Sequence, residues 1–355
     1  MSSELTFETE SVSYAQAISR ATCDAMSMDQ NIVLMGIGVQ YPSGIFGTTA
    51  EAFAKFGSER VIDVPAMENA LTGIAVGLAT GGKRPLIVHA RVDFMALSFD
   101  QIINVVSKWC YMFGGNAGKC PMVIRALIGR GWGQGATHSQ SFHSTLAHFP
   151  GLRILTPYSV QDAYDMTFQS ALGDIPTVIF EHRSLYSSVD TVEFRKEKSP
   201  LKRFDPIRLK RGADVTLAGY SFAVQELIYV ASLLESHGVF SDVIDLRSLE
   251  SDSMEVLQQS LEKTGHLVLH DVSWSSYGAT AEILARLFET GFSRTVKATR
   301  LGLAKSPAPA SEFLEPYFYP SIKSIAETVL KMLGKKTSET LSYRQESGAE
   351  FQGPY

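Results

Sequence analysis

The stretch RVIDVPAMENALTGIAVGLATGGKRPLIVHA (60–90) changes its hydrophobic period twice. RVIDV (60–64) and PLIVHA (85–90) are short, apolar and rich in β-branched residues, as strands buried on both faces are. MENALTGIAVGLATGG (67–82) is predicted to be a helix, and its small residues Ala70, Gly73, Ala75 and Gly77 allow close packing. A strand, a helix and a second strand in this order predict a parallel pair joined by a crossover.

The alternation continues in both directions. Ser13 suits the N-cap of a helix carrying Ala15, Ile18, Ala21, Ala25 and Met26. NIVLMG (31–36) follows as a buried strand, then a loop, IGVQYPSGIFGTT (37–49), and a short helix near 50–56. SFDQIINVVSKWCYMFGG (98–115) reads as one helix closed by paired glycines. PMVIRAL (121–127), LRILTP (152–157) and PTVIFEH (176–182) read as strands, with a helix at 159–172. From about 187 to 212 the pattern gives way to charge and proline, FRKEKSPLKRFDPIRLKRG (194–212), which reads as an interdomain linker. Beyond it, DVTLAGY (214–220), SDVIDLRSL (241–249), HLVLHDV (266–272) and TVKATRLG (295–302) are predicted strands. Helices are predicted near 222–236, 253–263, 278–290 and 320–333, and residues 334–355 read as a polar tail. The expected fold is α/β with two doubly wound domains, the first (1–186) around a mainly parallel sheet and the second over 213–333.

At 355 residues the chain is long enough for two domains with their own cores. Its 45% apolar and 19% charged residues exclude wholesale disorder, and a net charge of −5 favours neither nucleic acid nor an anionic membrane. Cys23, Cys110 and Cys120 have no CxxC or metal spacing and suit a reducing compartment. MSSELTFETE does not read as a signal peptide, and no apolar run is long enough to span a bilayer. The expected location is cytoplasmic.

IGRGWGQGATHSQ (128–140) places glycines at 129, 131, 133 and 135 and a histidine at 138. This is neither GxGxxG nor a loop ending in GK[ST], so it argues against a phosphate cradle. Glycines let a backbone approach its neighbours closely at positive φ, which suits a loop that frames the following HSQ. Glu68 falls in the first turn of its helix, where it either complements the helix dipole or serves chemistry; spacing leaves both open. His138, His143 and His148 share no helix face and form no HExxH, so no metal site is assigned. Ser139 and Ser141 lack a GxSxG elbow.

Residues 63–115, 137–186, GADVTLAGYSF (212–222), VIDLRSL (243–249) and TGHLVLHDVSWSSYGATAEI (264–283) together carry a resemblance. Over about 12–333 the chain resembles the β subunits of 2-oxo acid dehydrogenase E1 components, such as pyruvate dehydrogenase E1 β, which are thiamine diphosphate-dependent and transketolase-like. The resemblance implies that Glu68 hydrogen-bonds N1′ of the cofactor's aminopyrimidine and helps the cofactor's own amino group remove the thiazolium C2 proton. Phe94, in RVDF, would stack on that ring, or it is a core phenylalanine. His138 would lie at the reacting centre and transfer a proton or position substrate, with Gln140 and Trp132 nearby. Ile37 and Gly38 fall beside the cofactor where the family typically has two acidic residues, a departure that bears on proton handling or on the acceptor.

The family holds the diphosphate through Mg2+ at a GDG motif, and this chain has none. The resemblance therefore implies a separate E1 α-type subunit that binds most of the Mg2+ site, in an α2β2 heterotetramer with β–β contact through the C-terminal domain. The chain alone would be inactive. The implied activity is decarboxylation of a 2-oxo acid and transfer of the acyl unit, with a lipoyl E2 as one acceptor. Alternatives are a split transketolase or acyloin synthase and, in another class, a non-catalytic scaffold subunit. No nucleic-acid or membrane partner is expected. Some relatives bind a monovalent cation near the position of Asp174, but the turn here is one residue shorter.

Overall fold

The computed structural model describes residues 8–129, 133–195 and 204–335. The described residues within 1–128 and 146–203 form one compact unit, and those within 129–145 and 204–355 form another.

The first unit is built on six parallel strands in the order β3-β2-β4-β5-β7-β6. These are β2 (Ile32–Gly36), β3 (Val61–Asp63), β4 (Arg84–His89), β5 (Val123–Ile128), β6 (Arg153–Leu155) and β7 (Thr177–His182). Apolar side chains stand in register across it, Met35 beside Ile87, Ile87 beside Ile124 and Ile124 beside Val178. The helix Tyr14–Met28 opens with a capping box: Ser13 Oγ accepts from the Gln16 N–H at 3.2 Å and Gln16 Oε1 accepts from the Ser13 N–H at 2.8 Å. Helices Glu68–Thr80 and Val160–Leu172 occupy the predicted positions, the latter capped by Ser159. All six strands run the same way, so their carboxyl ends share one edge, where α/β sheets bind ligands.

Three readings of the sequence are corrected. Residues 98–115 are not one α-helix: a 3-10 turn at Ala96–Ser98 leads into a π-helix, Asp100–Val106, before the α-helix Ser107–Phe113. The stretch 187–212 carries β8 (Val189–Phe194), antiparallel to β1 (Glu8–Ser13), and β9 (Ile207–Lys210); residues 196–203 lie outside those described. Each strand is short and rich in charge, so its period is faint. Of the helix Glu68–Thr80, Ala75 is buried, but Ala70 and Gly77 are exposed and a Cβ on Gly77 would meet nothing within 4 Å.

The second unit carries β10 (Val215–Gly219), β11 (Ser241–Asp245), β12 (His266–Trp274) and β13 (Lys297–Leu303) in the order β13-β12-β10-β11-β9, with only β9 antiparallel. Leu217, Val243 and Val268 pack against helices Phe222–Glu235 and Ile322–Met332. Their strand neighbours Ala218, Ile244 and Leu269 pack against helices Glu255–Thr264 and Ala279–Glu289 on the other face. This period-two division is what a doubly wound sheet requires.

Candidate functional site

At the carboxyl ends of β2, β3 and β4 the structure gathers four of the predicted residues. Gly38, two residues past β2, has φ +74, and its N–H donates to Asp63 Oδ1 at the end of β3 at 2.6 Å. A Cβ there would be strained and would lie 3.3 Å from the Tyr41 ring. Ile37 beside it is 37% exposed. Glu68 opens its helix and is 9% exposed. Its carbonyl accepts from Thr72 Oγ1 at 3.0 Å and Ser98 Oγ at 2.7 Å, while its carboxylate takes no hydrogen bond from any described residue. Phe94 follows β4 in the turn Val92–Met95, with its ring side chain 43% exposed. Asn69 Nδ2 donates to Leu97 O at 3.1 Å and, with the Ser98–Glu68 bond, ties this turn to the start of the Glu68 helix.

His138, Gln140 and the glycine loop fall in the second unit; Trp132 lies outside the described residues. Gly133 and Gly135 both have φ +66, and a Cβ at either would come within 3.2 Å of Ala310. The glycines thus frame the loop by letting it lie against the 308–311 backbone. Gly135→Ala is expected to destabilise the chain by about 1–2 kcal/mol, from the left-handed backbone and the Ala310 contact, read as a lower denaturation midpoint. His138 follows the 3-10 turn Gly135–Thr137, with Nδ1 3.0 Å from Thr137 Oγ1. Beyond it lies a buried set that the sequence did not disclose: Ser141 Oγ is 2.7 Å from His143 Nδ1, and His143 Nε2 is 3.0 Å from Asp271 Oδ1. This set anchors the segment that carries His138.

The chain matches the transketolase pyrimidine-binding domain over residues 10–188 and the transketolase C-terminal domain over 207–325. The β subunit of Drosophila melanogaster mitochondrial pyruvate dehydrogenase E1 is 32% identical over 91% of this chain and 89% of its own length. The β subunit of Cupriavidus necator acetoin:2,6-dichlorophenolindophenol oxidoreductase is 30% identical over 89% of this chain and 96% of its own. This chain belongs to the transketolase-like family of E1 β-type subunits. The solved structure of a split-gene transketolase, described as an inactive β4 tetramer, shares the fold with a TM-score of 0.70 at 22% identity, covering 92% of this chain and 99% of that one.

Within this E1 β-type chain, other buried polar groups surround the first unit's strand ends. Arg125 and Glu181, both fully buried, pair at 2.6 and 2.9 Å; Tyr186 donates to Glu181 at 2.7 Å, and Arg125 reaches Thr48 Oγ1 at 3.0 Å. Asp174 is occupied by Arg84 and Lys119 at 2.6 and 2.9 Å, and the Lys119 hydrogen bond leads in holding its carboxyl below the usual range. An ammonium group thus stands against the carboxylate considered for a cation. Among the described residues no group of three or more His, Cys, Asp or Glu is placed to hold a metal ion, and no helix is long and apolar enough to cross a membrane.

His89, the last residue of β4, is 4% exposed, and its Nε2 has no hydrogen-bond partner. Burial pulls its pKa from 6.5 down to about 4. The unfolded chain therefore takes up this proton at a higher pH than the folded one, and stability falls as pH drops from about 6.5 to 4, by up to about 3 kcal/mol. His89→Phe is expected to flatten the pH dependence of the urea midpoint in that window.

Proposed function

We propose that this chain is the β-type subunit of a thiamine diphosphate-dependent enzyme that decarboxylates a 2-oxo acid and passes on the resulting acyl or hydroxyalkyl unit. The observation that carries this reading is the buried Glu68 carboxylate, without a described donor, on the same sheet edge as the exposed ring of Phe94. An acceptor and an aromatic face suit a flat aminopyrimidine with a protonated ring nitrogen. When bound, thiamine diphosphate supplies the nucleophilic carbon and the electron sink for decarboxylation. Glu68 would hold the proton at the pyrimidine N1′, Phe94 would orient the ring, and Gly38 would leave room for it beside Ile37. His138 would transfer a proton to or from the acceptor, with Gln140 beside it.

The chain has no GDG, so Mg2+ and the diphosphate fall to an E1 α-type partner in an α2β2 assembly. Ile37 and Gly38, where relatives carry acids, favour a second reading in which an aldehyde or sugar rather than lipoyl-lysine is the acceptor. Co-expression with an α-type subunit, then a screen of 2-oxo acids with thiamine diphosphate and Mg2+ against lipoyl, aldehyde and artificial electron acceptors, tests both. Turnover is expected only in the two-subunit preparation. Turnover by the isolated chain, or none by the pair on any 2-oxo acid or ketose, would overturn the proposal.

A further inference from the structure

Ser141, His143 and Asp271 lie in the second unit with His138, and the chemistry proposed above gives them no part in turnover. His138 follows the 3-10 turn Gly135–Thr137, and residues 138–142 belong to neither helix nor strand before His143 opens the helix His143–Ala147. No regular ladder fixes such a stretch, so side chains must place it. Upstream of His138, Gly133 and Gly135 lie against Ala310. Downstream, Ser141, His143 and Asp271 are all buried. His143 Nε2 stands 3.0 and 3.2 Å from the two carboxylate oxygens of Asp271, and its Nδ1 stands 2.7 Å from Ser141 Oγ.

The strand itself aims Asp271. β12 pairs with β10 as far as His270, opposite Gly219, and its pairing with β13 loses register between His270 and Trp274. Asp271 is the first residue of that irregularity, a kind of break that re-aims a side chain. The Tyr220 ring, one residue past β10, packs with its centroid 6.1 Å from that of the imidazole. Bond directions follow from the atoms. A carboxylate only accepts, so Nε2 carries the proton shared with Asp271. In a neutral imidazole Nδ1 is then a bare acceptor, and the Ser141 hydroxyl donates to it. The carboxylate thus sets the imidazole and the imidazole sets the hydroxyl, three residues from His138.

We propose that Asp271, His143 and Ser141 are positioning residues, which act on turnover by holding His138 where its proton transfer needs it. This rests on the reading of His138 as the group at the reacting centre. Proton transfer requires close alignment, and a displacement of about 1 Å costs on the order of 10²-fold in rate.

The first test uses the full chain alone, carrying nitrogen-15-labelled histidine, with the His143 signals assigned by their loss in His143→Gln. NMR is expected to show the proton of His143 on Nε2 and none on Nδ1. A proton resident on Nδ1 would reverse the serine bond and overturn the proposal. Asp271→Asn keeps the shape of the side chain, but its amide can offer an N–H to Nε2, which moves the proton to Nδ1. In the two-subunit enzyme, Asp271→Asn and Ser141→Ala are each expected to lower kcat by about ten-fold or more, with the KM for the 2-oxo acid and the affinity for thiamine diphosphate held within about two-fold. In a His138→Ala background the same substitutions are expected to change kcat by less than about two-fold, because their effect runs through His138. If Asp271→Asn does not fold, Ser141→Ala, which removes a single oxygen, carries the comparison. Unchanged kcat in these variants, or an equal loss with and without His138, would overturn the positioning role. Full turnover by His138→Ala alone would instead remove His138 from the chemistry, and this proposal with it, while leaving the Glu68 reading standing.

Discussion

Glu68→Gln, in the chain paired with its α-type subunit, is expected to lower thiamine diphosphate-dependent turnover by about 10²–10⁴-fold with little change in folding. Glutamine preserves the length and shape of the side chain. The contacts that fix this position, from Thr72 and Ser98, go to the Glu68 carbonyl rather than to its carboxylate, so they survive the substitution. What is lost is a proton-holding charge in a largely dry position. Removing it forfeits a favourable helix-terminus interaction worth under about 1 kcal/mol, so the Tm should stay within a few degrees. Unaltered turnover would return Glu68 to a helix-capping charge and remove it from the chemistry.

The largest stability effect is expected at Glu181. Glu181→Leu leaves the Arg125 guanidinium in a fully buried position, still bonded to Thr48 but without its counter-charge. Arg125 Nη1 already lacks a partner in the native structure, so no spare acceptor stands ready. Stranding one member of a buried pair costs about 3–5 kcal/mol, a large share of the total stability of a domain. Arg125→Met combined with Glu181→Leu should recover most of this loss, since an apolar pair needs no partners. Denaturant midpoints of the four proteins in the cycle measure the coupling; additive losses would show that the pair acts as two independent residues.

Much of the architecture was legible because local signals agreed. Ser13 and Ser159 mark helix starts with their own hydroxyls, and runs such as NIVLMG and PTVIFEH are apolar throughout because both faces of their strands are covered. Where signals were local but weak, the sequence misled: β8 alternates only over VDTVEF, and the π-helix differs from an α-helix by hydrogen-bond register alone. Glu68, Phe94 and Gly38 were named from the family resemblance, and the strand before each could be read, but not which of those strands lie side by side. Arg125–Glu181 and His143–Asp271 could not be found, since their partners stand 56 and 128 residues apart and nothing in either residue's neighbourhood announces the other.

The packing of residues 133–145 against chain that follows residue 204 sets an order of events during synthesis. When His143 leaves the ribosome, Asp271 is still 128 residues away, and Ala310 further still. At roughly 5–20 residues per second that interval is on the order of ten seconds. For that time the nascent segment carries Ser141 and His143 without their buried counterpart, although β6 and β7, which complete the first sheet, emerge sooner. The first sheet can therefore be complete before this segment has met its own partners.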